Sequence, residues 1–250
     1  MPPVESLTIV ALAFLLAGFV KGVIGLGLPA ISLAALTATL GLKAAMAILL
    51  APSLVTNLWQ GLVGGHLQQI LRRLWLLLLV LCLATWLGVG VLARADADIL
   101  AGLLGLVLAA YAVSGLVRLD PQSPGGMEGW LSPVVGAVSG LLNGMTGSIV
   151  LPGVLYLQSL GLSRDVLIQA MGVLFTVSTV ALGFSLRGHG FLSPELMVLS
   201  ACGVVPAVIG MLLGQLVRRR LSETAFRNVF FSGLLVFGVY IAVRSLGAIW

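Results

Sequence analysis

Charge is what this sequence lacks. Of 250 residues, 8% are Asp, Glu, Lys or Arg and 60% are hydrophobic, and the mean hydropathy is +1.17. A soluble domain carries about 25% charged residues, so most of this surface faces lipid and the chain reads as an all-α polytopic membrane protein. The acids are fewer than the bases. Glu5, Asp96, Asp98, Asp120, Glu128, Asp165, Glu195 and Glu223 all lie at the edges of apolar runs or in links. Proton-coupled carriers place Asp, Glu or His within the membrane, and an acid–base enzyme needs such a group. Carboxylate-based proton coupling and catalysis are both disfavoured, and the chain reads as no enzyme. The two cysteines, Cys82 and Cys202, lie inside apolar runs with no CxxC spacing and no histidine cluster. No metal, redox site or cofactor is expected. The bases sit singly or in short groups between the runs, which marks loop ends rather than a nucleic-acid surface. Arg218, Arg219 and Arg220 read as a topology anchor. The two histidines, His66 and His189, fall in links and read as bland interfacial residues rather than pH sensors. Glu5 is the only charge near the N-terminus, so no cleaved signal peptide is expected.

What is present is glycine, 32 residues of it, and long apolar runs. About eight runs are separated by charges and turn residues. They begin with Leu7–Leu40 and end with Val229–Val243. The stretch RLDPQSPGGMEG, 118–129, is the one linker-like segment. The chain therefore divides into a first repeat over 1–117, a linker over 118–129 and a second repeat over 130–250, within one integral membrane domain. A shift of 122 lays Gly18, Gly22 and Gly25 on Gly140, Gly144 and Gly147, and pairs Gly61 with Gly183 and Gly88 with Gly210. A duplicated unit of four segments is a transporter pattern, with the site where the repeats meet.

The first run of each repeat is broken. The stretch GFVKGVIGLGLPAISL, Gly18–Leu33, interrupts its apolar run with four glycines, Lys21 and Pro29. Glycine weakens a helix and proline removes a donor. At membrane depth such backbone survives only when buried in protein or lining a polar cavity. The broken segment either spans once or re-enters as a hairpin. Spanning leaves Lys and Arg nearly balanced between the two faces. Re-entry gathers eight of them on one face against four on the other, makes the crossings of each repeat odd, and so inverts the copies. The charge bias favours re-entry.

Two motifs carry a resemblance. GFVKGVIGLGLP at 18–29 recurs as GLLNGMTGSIVLP at 140–152. With eight apolar segments in 250 residues, this arrangement resembles the TauE/SafE family over nearly the whole chain. The family's first break often holds consecutive glycines, where this chain has Gly25-Leu26-Gly27-Leu28. In the second copy Ser148-Ile149 replaces a double glycine. The resemblance implies a permease of the bacterial inner membrane that moves sulfite or an organosulfonate, mostly outward. The alternatives are a carrier of another small solute or an uptake system, then an intramembrane enzyme or a structural subunit.

The residues themselves point to an anion. A lysine in mid-membrane costs roughly 2.5–3.5 kcal/mol on insertion scales, and Lys21 lies in such a run with Asn143 at the equivalent place in the second copy. Each break, at Gly25–Gly27 and at Gly147–Ser148, is expected to start a half-helix whose free N–H groups favour an anion. Thr146 and Ser148 add hydroxyls. Asn57, with Thr56 and Gln60, is expected to face Thr179, with Thr176 and Ser178, by repeat position. The expected substrate-binding set is Lys21, Gly25, Gly27, Asn57, Asn143, Thr146, Gly147, Ser148 and Thr179. The expected partners are a small anion and the lipid bilayer, and a homodimer is compatible with the sequence. Pro52 and Pro206 are expected to kink their helices.

Overall fold

The computed structural model describes residues 4–118, 122–218 and 222–247. Arg219 and Arg220 of the expected anchor, and residues 119–121 of the linker, lie outside them. The described residues form helices and no strands. In chain order these are α1 Val4–Ile24, α2 Leu28–Leu40, α3 Leu42–Leu62, α4 Leu67–Arg94, α5 Ala97–Leu116, α6 Glu128–Thr146, α7 Leu155–Ser159, α8 Arg164–Gly188, α9 Pro194–Arg218 and α10 Glu223–Gly247. Seven of them, α1, α3, α4, α5, α8, α9 and α10, are long and apolar enough to cross a membrane. The eighth expected segment is α6. It has 19 residues and buries Ser132, Ser139 and Asn143 among its glycines, which lowers its hydropathy. The protein is an all-α, multi-pass membrane protein. Pro52, Pro133 and Pro206 all sit inside continuous helices.

The helices gather into two compact units. One comprises Met1–Pro52, Ala95–Leu119 and Gly190–Trp250, and the other Ser53–Arg94 and Asp120–His189. Each unit draws on both halves of the sequence.

In the first unit, α1 and α9 pack along a glycine seam. A Cβ added at Gly18 would overlap the carbonyl oxygen of Ala207, and one at Gly22 that of Met211. From the other side, Gly210 meets Leu15 and Gly214 meets Phe19 in the same way. The numbers rise together, so the two helices run parallel. Lipid tails are as apolar as leucine, so helix association in a membrane depends on close packing, and glycine lets backbones approach. The same unit pairs α5 with α10 through Gly105 and Gly238, with Gly105 opposite Ala242, Gly238 opposite Ala109 and Gly115 opposite Phe231. Here the numbers run oppositely, so α5 and α10 are antiparallel.

The second unit repeats the seam with α4 and α6. Gly136 lies on the backbone of Leu77, Gly140 on that of Leu81 and Gly144 on that of Thr85, so these helices also run parallel. At one end, Arg73 of α4 forms a two-pronged ion pair with Glu128 at the start of α6, at 2.6 and 2.7 Å. Its Nη2 also donates to the carbonyl of Leu160, just past α7.

Candidate functional site

The first break lies in the first unit. Leu7–Leu40, expected as one interrupted run, becomes α1 and α2, and α2 folds back against α1. Gly25 has φ +82° and Gly27 φ +105°, the left-handed region that suits glycine. A Cβ at Gly25 would meet nothing within 4 Å, so conformation and not space selects glycine there. Gly27 precedes α2 with no side-chain cap, and Pro29 occupies the first turn. The ring of Phe230 lies 3.1 Å from where a Gly27 Cβ would stand. Phe230 packs at a tilt on Phe231, and Phe231 packs edge-on against Tyr111, with centroids 4.8 and 5.4 Å apart. Lys21 sits in the last turn of α1 and is 4% exposed. Its backbone carbonyl accepts the N–H of Gly25 at 2.8 Å. The carbonyl end of a helix favours a cation.

The second break lies in the second unit, and its backbone starts in the same way. Gly147, φ +76°, ends α6, and its N–H donates to the carbonyl of Asn143 at 2.8 Å. Asn143 therefore stands to Gly147 as Lys21 stands to Gly25. Beyond that point the two breaks diverge. The expected half-helix is instead a π-type turn, Val150–Val154, kinked at Leu151, followed by the five residues of α7. Pro152 lies inside this irregular segment.

The hydroxyl and amide groups there have mixed roles. Asn143 Nδ2 donates to Thr85 Oγ1 at 3.2 Å and to the carbonyl of Ser178 at 3.1 Å, tying α6 to α4 and α8. Thr146 Oγ1 donates to the carbonyl of Leu142 and accepts the N–H of Ser148. Thr179 Oγ1 donates to the carbonyl of Phe175 at 2.7 Å. Near this break, among the described residues, the buried hydroxyls of Ser148 and Ser139 have no partner. Ser139 Oγ lies 3.1 Å from where a Gly153 Cβ would stand, so it faces the irregular segment.

Asn57 is buried in α3. Gln60, expected with Thr56 and Asn57 to face Thr176, Ser178 and Thr179, meets α8 earlier along its length. Gln60 donates to the carbonyl of Ile168 at 2.8 Å, and Gln169 returns a bond to the carbonyl of Gly61 at 3.0 Å. The reason is a close crossing at Gly61 and Gly172, which fixes where α3 meets α8. His66 offers its backbone N–H to Gln169. His189 lies against Trp86 with centroids 5.1 Å apart, and its Nδ1 is 2.9 Å from the carbonyl of Ser185.

Two candidates escaped the sequence reading. Ser139 is one turn before Asn143 on the same face of α6, and that i, i+4 spacing was a usable signal. The second is Arg227. It lies inside α10, three residues before Phe230, and its Nη2 is buried without a partner. Among the described residues, no group of three His, Cys, Asp or Glu is placed to hold a metal ion.

Of the expected set, the second unit carries Asn57, Asn143, Thr146, Gly147, Ser148 and Thr179, and the first carries Lys21, Gly25 and Gly27. No curated protein and no solved structure matches the chain. The family model described as sulfite exporter TauE/SafE matches residues 10–241, nearly the whole length, and the chain belongs to that family of membrane transporters.

Proposed function

We propose that this protein is a permease of the bacterial inner membrane that exports a small anion of the sulfite or organosulfonate class. The carrying observation is Lys21, a cation 4% exposed in a membrane helix, one turn before a left-handed glycine break. Intramembrane charges are costly and mark ion or substrate paths. In the same unit, the N-terminus of α2 begins at Gly27 without a side-chain cap, which leaves its first N–H groups and positive dipole end for an anion. In the other unit, Ser148 and Ser139 supply donors that the fold does not use. Asn143, Thr146 and Thr179 hold the shape around them. Transport proceeds by alternating access, without covalent chemistry.

The test is thermal stabilisation of the purified protein by sulfite, sulfate, thiosulfate, sulfoacetate, acetate and phosphate. A ligand at 100 times its dissociation constant adds about 2.7 kcal/mol. Stabilisation by sulfur oxyanions that disappears in Lys21→Met is the expected result. Equal stabilisation of Lys21→Met would remove the lysine from the site. Indifference to every anion would overturn the anion reading.

A further inference from the structure

Opposite charges line one cavity in the first unit without pairing to each other. The cavity holds about 270 Å³. Thr37 and Gly41 line it from the end of α2, Asp98 and Ala101 from the start of α5, and Arg244 and Ser245 from the end of α10. The antiparallel packing of α5 on α10 brings Asp98 and Arg244 to the same end. Arg244 donates to the carbonyl of Ala38, which fixes the guanidinium at the rim. Asp98 and Arg244 form no ion pair within 4.0 Å of each other, so they leave space between them. Thr37, 8% exposed, lines the same space.

A second feature adjoins it. A groove of about 630 Å³ runs along α10, lined by Leu235, Val236, Val239, Tyr240, Val243 and again Arg244. Apart from Tyr240 and the shared Arg244, its walls are aliphatic. From Leu235 to Arg244 the helix rises by roughly 13 Å, close to one leaflet of a hydrocarbon core about 30 Å thick. One arginine therefore joins a polar cavity at the end of the span to an apolar groove one leaflet deep.

We infer that this is a binding site for a zwitterionic phospholipid with a primary amine. The phosphate lies on Arg244, the ammonium on Asp98, and one acyl chain in the α10 groove. Guanidinium is suited to phosphate oxygens, and both headgroup contacts are charge-assisted. A purely anionic headgroup would leave Asp98 facing a like charge. A trimethylated amine would offer Asp98 no N–H donor. A free amino-phosphate solute would satisfy the cavity but leave the groove unused, and the shared Arg244 argues for the lipid.

The test is native mass spectrometry of the intact, delipidated protein titrated with phosphatidylethanolamine, phosphatidylglycerol, phosphatidylcholine or free phosphoethanolamine. One bound phosphatidylethanolamine is expected, with phosphatidylglycerol and phosphatidylcholine about tenfold weaker. Asp98→Asn is the decisive variant. The adjacent cap is made by the Asp96 carboxylate to the backbone N–H of Asp98, so the helix start is preserved. This variant is expected to lose the preference for the ethanolamine lipid and to keep its unfolding temperature. Arg244→Gln is expected to weaken retention of all three lipids about tenfold. Equal retention of phosphatidylglycerol by the wild type, or an unchanged preference in Asp98→Asn, would overturn the inference. So would binding of free phosphoethanolamine as tight as that of the lipid, which would make the cavity a solute site. A dimer that binds no lipid would assign the groove to a second copy.

Discussion

The side-chain nitrogen of Asn143 donates to the backbone carbonyl of Ser178 across 3.1 Å, joining α6 to α8. The same nitrogen donates to Thr85 Oγ1 of α4. Its two amide protons are thus engaged with neighbouring helices. Asn143→Ala is expected to cost about 1 kcal/mol of stability, since interhelical hydrogen bonds in membranes contribute about 0.6–2 kcal/mol. Unfolding in detergent measures the loss, and anion stabilisation of the surviving fold is expected to persist. An unchanged stability with lost anion response would make Asn143 a ligand and not a strut.

Ser139 and Ser148 give the opposite pattern. A buried hydroxyl without a partner carries a desolvation penalty, and removing it relieves that penalty. Ser139→Ala and Ser148→Ala are expected to leave the unfolding temperature unchanged or slightly higher, while anion affinity falls. A drop in stability equal to that of Asn143→Ala would place both hydroxyls in the packing.

Glycines of the broken segment divide by role. Gly22→Ala drives a methyl into the Met211 carbonyl, where backbone must move, and little folded protein is expected. Gly25→Ala has open space and meets only the left-handed backbone, at a cost of about 1–2 kcal/mol. Gly25→Asn is expected to be milder than Gly25→Ala, because Asn tolerates that region. Fluorescence size-exclusion of the three variants checks the order.

Glu128 titrates at the start of α6. Its hydrogen bond to Arg73 holds the carboxyl below its ordinary value of 4.5, and the guanidinium charge acts in the same sense. The folded state therefore binds this proton less readily than the unfolded chain. The ion pair's contribution is full above pH 4.5 and is lost as pH falls from there through the lowered folded value. Wild type is expected to melt above Arg73→Gln at pH 7, with the gap closing toward pH 3. A gap that does not depend on pH would assign the effect to the Leu160 contact.

The export proposed above predicts a response to the membrane potential. A cell interior at −100 mV favours outward movement of each negative charge by about 2.3 kcal/mol, roughly a 50-fold gradient. In proteoliposomes, imposed potential is expected to drive sulfite efflux at equal pH on both sides. Efflux that follows a pH gradient at fixed potential would require a proton carrier elsewhere in the chain.

The class of the protein was legible because lipid exposure writes itself into every residue of a run, and scarce charge then marks the run ends. The breaks were legible because Gly25, Gly27 and Gly147 need the left-handed region, and few other residues adopt it. The roles of Gly18, Gly22, Gly140 and Gly144 were not, since a glycine that admits a neighbouring backbone looks in sequence like one that bends its own. The register of α3 on α8 was also hidden. It is set by Gly61 against Gly172, a contact between segments more than a hundred residues apart, and repeat symmetry alone placed Gln60 too far along α8. The irregular start after Gly147 depends on how Pro152 is accommodated, which local sequence leaves open.

The interleaving of the two units has a consequence for synthesis. The glycine seam of α1, at Gly18 and Gly22, closes on Ala207 and Met211 of α9. About 190 residues of translation separate the two, on the order of 10–40 s at ordinary ribosome speeds. Throughout that interval α1 has no α9 on which to close. The compact unit to which it belongs is completed only when the last two helices leave the ribosome, so a nascent chain stopped at the linker holds neither unit whole.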